Sequence, residues 1–368
     1  MTNISGSLSF SPDCLPLLVG SLPIEDHDEA TRLMLEYTPE IPLWIQLPIY
    51  REEGMLYQFL PGMPGLKRRG DDFFIDTQSS SFEDELLAFY EDYMAFYDAL
   101  QDYNLDSECR FALTDTTARG FSSFMKIISK LPNVPVSLKG QVTGPITMGI
   151  GVKDEAGKLL FYDERLRDVV IKQVAMNAAW QVRTLLALKS RQKPIIFFDE
   201  PGVVGFGSST YISISREQIV ESLGECIDAV HAAGGIAGIH ICANGDWSLA
   251  FESGTDIINF DAWSFFDRVI LYRDHLKDFI LRGGILAWGI VPTSSPEHIE
   301  AASSEKLFEM WQGELEQIKA LGIDERKILS QTLITPSCGT GSLDPAHALK
   351  VLELVRDLSC AIRKHYCL

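Results

Sequence analysis

The sequence predicts an α/β fold built as a single (β/α)8 barrel. Eight short apolar runs bounded by turn residues recur along the 368 residues, and amphipathic stretches with helical spacing separate most of them. Continuous apolar strands alternating with amphipathic helices imply a parallel sheet covered by helices on its outside. Almost every unusual polar residue also falls near the C-terminal end of a candidate strand, the rim where barrel enzymes build their active sites. Chain length alone would suggest two domains at roughly 100–200 residues each, but a single barrel accommodates it. No internal repeat, low-complexity tract or linker marks a boundary, so residues 1–368 are read as one catalytic barrel.

The first run, LPLLVG at 15–20, stops at Ser21, and the second is PLWIQLP at 42–48. An insert at about 49–133 follows and is expected to cover one end of the barrel. It holds GMPGLKRRGDDFF, a hairpin or mobile loop, and SSFEDELLAFYEDYMAFYDALQDY, an acidic amphipathic helix. The third run, VPVSLKGQ at 134–141, ends at Gln141. It overlaps KGQVTGPITMG at 139–149, which fits neither the P-loop nor the dinucleotide fingerprint and reads as a tight turn beside the pocket. PIIFFDEP at 194–201 closes on Asp199 and Glu200, and GIAGIHICA at 235–243 carries His240 and Cys242. DIINFDAW at 256–263 ends at Asp261, GILAWGIV spans 284–291, and KILSQTLITPS at 327–337 leads to Cys338. The clearest helices are expected at 164–191, 216–234 and 304–322.

A net charge of −19 argues against nucleic-acid binding and against a polybasic membrane surface, which leaves small molecules or a protein as partners. Seven cysteines are an odd count with no compact framework, as expected of reduced thiols in a cytoplasmic enzyme. The N-terminus lacks a charged start followed by an apolar signal core, and no stretch approaches about 18 uninterrupted apolar residues, so a soluble, cytosolic protein is expected.

Period-two alternation puts His240 and Cys242 on one face of their strand, pointing at the barrel axis. Alone, such a pair is more often a buried structural feature than a metal site, since free cysteine packs as a small hydrophobe. Cys338 at another strand end shifts the balance to a metal, because imidazole, thiolate and the Asp261 carboxylate are groups that bind Zn²⁺ in a tetrahedral shell. A thiol bound at such a site becomes a nucleophile near neutral pH. Asp199 either holds a substrate amine, orients a proton, or with Glu200 merely ends a strand.

In order and spacing, LLVGSLP at 17–23, KGQVTGP, FFDEPGV, HIC, DIINFDA and PSCGTGSLDP at 336–345 resemble the zinc-dependent methyltransferases related to cobalamin-independent methionine synthase. Uroporphyrinogen decarboxylase belongs to the same superfamily. The resemblance implies a barrel that binds homocysteine or a related thiol and methylates its sulfur. It implies that the backbone of Val19, Gly20 and Ser21 contacts the acceptor, that Asp199 binds its amine, and that His240, Cys242, Asp261 and Cys338 hold zinc; Gln141, by its place near a strand end, is a further candidate substrate-binding residue. This chain departs from the family synthase in three respects. It has aspartate where that enzyme has a glutamate ligand, WIQLPIY where it has a His-Gly-Glu segment, and one barrel where it has two. A methyl-corrinoid protein is therefore expected as donor in place of a folate. The alternatives are a decarboxylase like uroporphyrinogen decarboxylase, a corrinoid:coenzyme M-type methyltransferase, and an idle corrinoid- or folate-binding module.

Overall fold

Seven strands pair in parallel into one curled sheet: β1 (Leu15–Pro16), then, after the hairpin strands β2 (Leu66–Arg69) and β3 (Asp72–Ile75), β4 (Lys139–Thr143), β5 (Ile195–Asp199), β6 (Ile236–Ile241), β7 (Ile257–Phe260), β8 (Ile285–Val291) and β9 (Thr332–Pro336). Their order is β1-β9-β8-β7-β6-β5-β4, a partial barrel with thirteen α-helices among the described residues. These come from a computed structural model that describes residues 10–100, 109–207, 211 and 214–368. No helix among them is long and apolar enough to cross a membrane.

Alternation along the strands sorts side chains into two layers. Leu15, Leu17, Ile195, Phe197, Ile236, Ile257, Ile285, Ala287 and Leu333 form a buried plug inside the curl. Their neighbours, among them Ile196, Phe198, Ile239, Ile258, Leu286 and Ile334, join the larger core beneath the helices. Both faces are buried, which is why the strands read as unbroken apolar runs.

The run at 42–48 is not a strand. Leu43 makes a single parallel bridge to Lys139 of β4, and Gln46 makes one to Ser21, just beyond β1. Pro42 and Pro48 bracket it without N–H groups, and between them Trp44 N–H donates to the Lys139 carbonyl and Gln46 N–H to the Gly20 carbonyl, one bond toward each neighbour. The run at 327–337 divides: Asp324 accepts from the Lys327 amide and caps a helix over Glu325–Ser330, so only Thr332–Pro336 is extended. The third run begins later than expected, because its first residues stay outside the ladder and Gln141 stands in mid-strand.

The insert does not sit at one end alone. Residues Tyr57–Phe59 lie near the rim, where Gln46 donates to Gln58 and Thr143 Oγ1 donates to the Met55 carbonyl. GMPGLKRRGDDFF contains the β2–β3 hairpin, turning at Gly70 with φ +61°. The helix Phe82–Ala99 packs outside, with the Tyr90 hydroxyl donating to Asp168 on the helix Glu164–Leu185 at 2.7 Å. The last residues of the acidic helix expected there, 101–103, lie outside the described residues. The helix Arg119–Ile128 packs on the helix His27–Tyr37, Ser123 donating to Asp28.

Candidate metal centre

Register brings the polar residues together. Asp199 at the end of β5 pairs with His240 of β6, which pairs with Asn259 of β7. All three continue the inward-facing series that begins with Ile195, Ile236 and Ile257, so they stand above the apolar plug.

The amide of Asn259 donates to the Ala287 carbonyl and to Thr335 Oγ1, each at 2.8 Å, and so turns its oxygen toward His240. That oxygen lies 2.6 Å from His240 Nδ1, which must then carry the proton. Nε2 is left facing the cluster: it is buried with no hydrogen bond of ordinary geometry, and against that burial the neighbouring Cys242 thiol raises the pKa of the ring; when the ring is neutral, its lone pair lies on Nε2. Buried polar atoms seldom stay unpaired, so Nε2 marks a place for something it can ligate. Cys242 directly follows β6 and Cys338 follows β9; their Sγ atoms and the imidazole nitrogen lie within 4.8 Å of one another. This cluster could hold a metal ion.

The Cys338 turn is clamped to the chain after β1. Thr340 donates its N–H and hydroxyl to the Ser21 carbonyl at 3.1 and 3.0 Å, and Gly341 N–H donates to Ser21 Oγ at 3.1 Å. A side chain on Gly339 would put Cβ 2.4 Å from Ser21 Oγ, so that hydroxyl would have to move, at the expense of its bond from the Gly341 amide. Val19, Gly20, Ser21, Cys338, Gly339 and Thr340 line one small cavity.

Charge in the cluster is unevenly shared. The Cys338 thiol and His240 hold Cys242 down to about 4. Cys338 is pushed up by the Cys242 thiolate beside it and by burial. One thiolate forms readily, and the second requires a cation to share the charge.

Asp261 is not a member of this trio. It begins the helix Ala262–Val269, and its Oδ1 accepts from the Ser264 amide at 2.9 Å, because a carboxylate at that point satisfies an otherwise orphaned helix donor. It still senses the cluster: burial raises its pKa, Cys242 raises it further, and His240 lowers it.

Asp199 and Glu200 divide as strand alternation requires. Glu200 points away, accepts from the amides of Ile146 and Thr147 and from the Thr147 hydroxyl, and holds the start of the helix Pro145–Gly151. Burial nevertheless pushes its pKa up to about 7. Asp199 faces inward, and its Oδ1 is buried with no partner. Gln141 is already committed, donating to the Trp44 carbonyl at 2.9 Å and accepting from Lys139 at 3.3 Å.

Two residues of the site escape a motif-based reading, Asn259 and Lys139. The signals were present: an asparagine two residues before Asp261 on the same strand face, and a lysine inside an apolar run.

Comparison of the chain with protein-family models gives no match, and comparison with curated proteins gives none.

Proposed function

We propose that this chain is a zinc-dependent thiol S-methyltransferase, similar in plan to the catalytic barrel of cobalamin-independent methionine synthase, with homocysteine as the leading acceptor. The observation that carries the reading is the unpartnered His240 Nε2 converging with the thiols of Cys242 and Cys338. One nitrogen and two soft sulfurs suit Zn²⁺, and three protein donors with one exchangeable position is the arrangement of catalytic rather than structural zinc. Zinc, when bound, supplies the Lewis acidity that keeps an incoming thiol deprotonated near neutral pH.

The protein groups supply position and charge. Asn259 keeps the imidazole in one tautomer and orientation. The free Oδ1 of Asp199 offers an acceptor to a donor group on the substrate, and an ammonium is the donor that best compensates a buried carboxylate. The turn Val19–Ser21, on the same cavity as Cys338, presents backbone to the rest of the acceptor. The substrate sulfur then attacks the methyl carbon; the S–C bond forms, the bond to the donor breaks, and the thiol proton passes to solvent. Positioning carries most of such a reaction.

We read the curled sheet as a (β/α)8 barrel in which residues 43–46 are the eighth stave. Their bridges to Lys139 on one side and Ser21 on the other support this. A reducing, cytoplasmic setting suits the free cysteines. The donor we favour is a methyl-corrinoid on a carrier protein.

The test is metal content. Protein purified without added zinc should contain about one equivalent per chain, and Cys242→Ser and Cys338→Ser should each release it. Full zinc retention by both variants overturns the assignment.

A further inference from the structure

The acidic helix Phe82–Ala99 has no part in the metal centre, yet its solvent side carries large apolar groups. Leu87, Met94 and Tyr97 are 61, 63 and 45% exposed, and spacings of seven and three put them on one stripe of the helix. Tyr90, on the same stripe, is half-buried and anchors the helix through Asp168. At its inner edge the stripe runs into an open cleft of about 450 Å³, where Tyr93, Tyr97 and Met176 meet Glu221, Glu225 and Asp228 of the helix Arg216–Ala232. Those three acids, at spacings of four and three, share one helix face.

Both banks of this groove carry the same sign of charge. Glu91 and Asp98 border the stripe, Glu221 and Asp228 border the cleft, and all four are exposed and free of hydrogen bonds and ion pairs among the described residues. Lys172 shows how the cleft receives a cation: its Nζ lies 5.2 Å from the centre of the Tyr93 ring, 3.4 Å from Glu225 and 2.5 Å from Asp168. Tyr97, with its ring centre 6.1 Å from that of Tyr93, extends the same aromatic wall toward solvent.

A run of exposed apolar side chains marks a surface that something covers, and here the charge decides what. A second copy of this chain would bring its own net charge of −19 against these carboxylates, and like charges across an interface are costly. A neutral apolar segment would leave the carboxylates uncompensated around its edge. We propose that the groove between Phe82–Ala99 and Arg216–Ala232 docks an amphipathic helix of a partner protein: its apolar side lies on Leu87, Met94 and Tyr97, its lysines or arginines face the two acidic banks, and one of them enters the cleft beside Tyr97. From Leu87 to Tyr97 the stripe is about 15 Å long, nearly three turns of such a helix. The surface uses no residue of the metal centre, so it stands independently of the zinc reading.

The probe is a fluorescein-labelled peptide of about 16 leucine, alanine and lysine residues, with leucine at i, i+3, i+4 and i+7 and lysine on the flanks, titrated into full-length protein by fluorescence anisotropy. One control peptide has the same composition with leucine spread around the helix; the other has glutamate for lysine. The patterned basic peptide should bind at least about tenfold more tightly than either control. Leu87→Gln with Met94→Gln, at exposed positions, should weaken it by about tenfold or more. Glu221→Gln with Asp228→Asn should weaken it and flatten its salt dependence, whereas Glu309→Gln with Glu353→Gln, an equal charge change at other exposed positions, should leave it unchanged. Circular dichroism checks that each variant is folded. Equal binding of all three peptides, or equal weakening by the two pairs of charge variants, would mean general attraction to an acidic protein and overturns the proposal. Self-association of wild type in sedimentation velocity, abolished by Leu87→Gln with Met94→Gln, would give the groove to a second copy and overturns it as well.

Discussion

Nε2 of His240 is useful only because Nδ1 is occupied, and this gives Asn259 a measurable role. Asn259→Ala removes the acceptor that fixes the tautomer while leaving every proposed ligand in place. Zinc affinity should fall about ten- to a hundredfold, the usual cost of losing a partner that orients a ligand; a competition titration with a chromophoric chelator reads it. Asp261→Ala should behave differently. It lies outside the cluster and its Oδ1 accepts from the Ser264 amide, so zinc stoichiometry should hold while stability drops by about 1 kcal/mol from the lost helix cap. Loss of zinc in Asp261→Ala would restore it as a ligand. The contrast shows what a sequence conveys about a site. His240, Cys242 and Cys338 were legible because strand alternation and strand ends decide where they point. Whether Asp261 ligates or caps depends on where the next helix begins, a difference of one residue that periodicity does not resolve.

Strands β5 to β8 were legible almost to their ends because both faces are buried and the apolar runs stop at polar turns. The failures have separate causes. The run at 42–48 makes only two isolated bridges, and a helix with its own aspartate cap was hidden inside an apolar run before β9. One buried group behind β8 was also illegible. Glu314, on the helix Ser304–Lys319, accepts from Trp288 Nε1 at 2.6 Å, and burial pushes its pKa up to about 8 from an ordinary 4.5. A carboxyl raised in the folded state contributes stability that is complete below its unfolded value and is lost as pH rises through the folded one. Stability should therefore decline between about pH 5 and 8, by a few kcal/mol at roughly 1.4 kcal/mol per pH unit, with Glu200 contributing in the lower part of that window. Glu314→Gln keeps an acceptor for Trp288 and cannot ionise. Urea midpoints measured at pH 5, 6, 7 and 8 should show a flatter decline for this variant than for wild type; parallel curves would assign the pH dependence to other groups.

Net charge bears on the methyl donor. At −19, the molecule repels a polyanion before any contact forms, and the repulsion is strongest at low salt. A folate bearing a polyglutamate tail meets that field, whereas a corrinoid delivered on a carrier can dock across the rim without inserting an anionic chain. The positive stretch that could receive a tail is Lys67, Arg68 and Arg69 on the exposed β2 strand, and part of it is already engaged: Arg68 lies 3.6 Å from Asp71, and Arg69 stacks 4.5 Å from the centre of the Phe74 ring. Methionine formation from homocysteine should therefore be faster with methylcobalamin than with methyl-folate triglutamate. Any turnover with the folate should rise as ionic strength is increased from about 10 to 150 mM, as the Debye length contracts from roughly 30 to 8 Å. Lys67→Glu with Arg68→Glu should leave the corrinoid rate unchanged. Robust folate turnover that falls with added salt would mean that the hairpin attracts the tail after all; the donor assignment would then be wrong, and the zinc site would stand on its metal content.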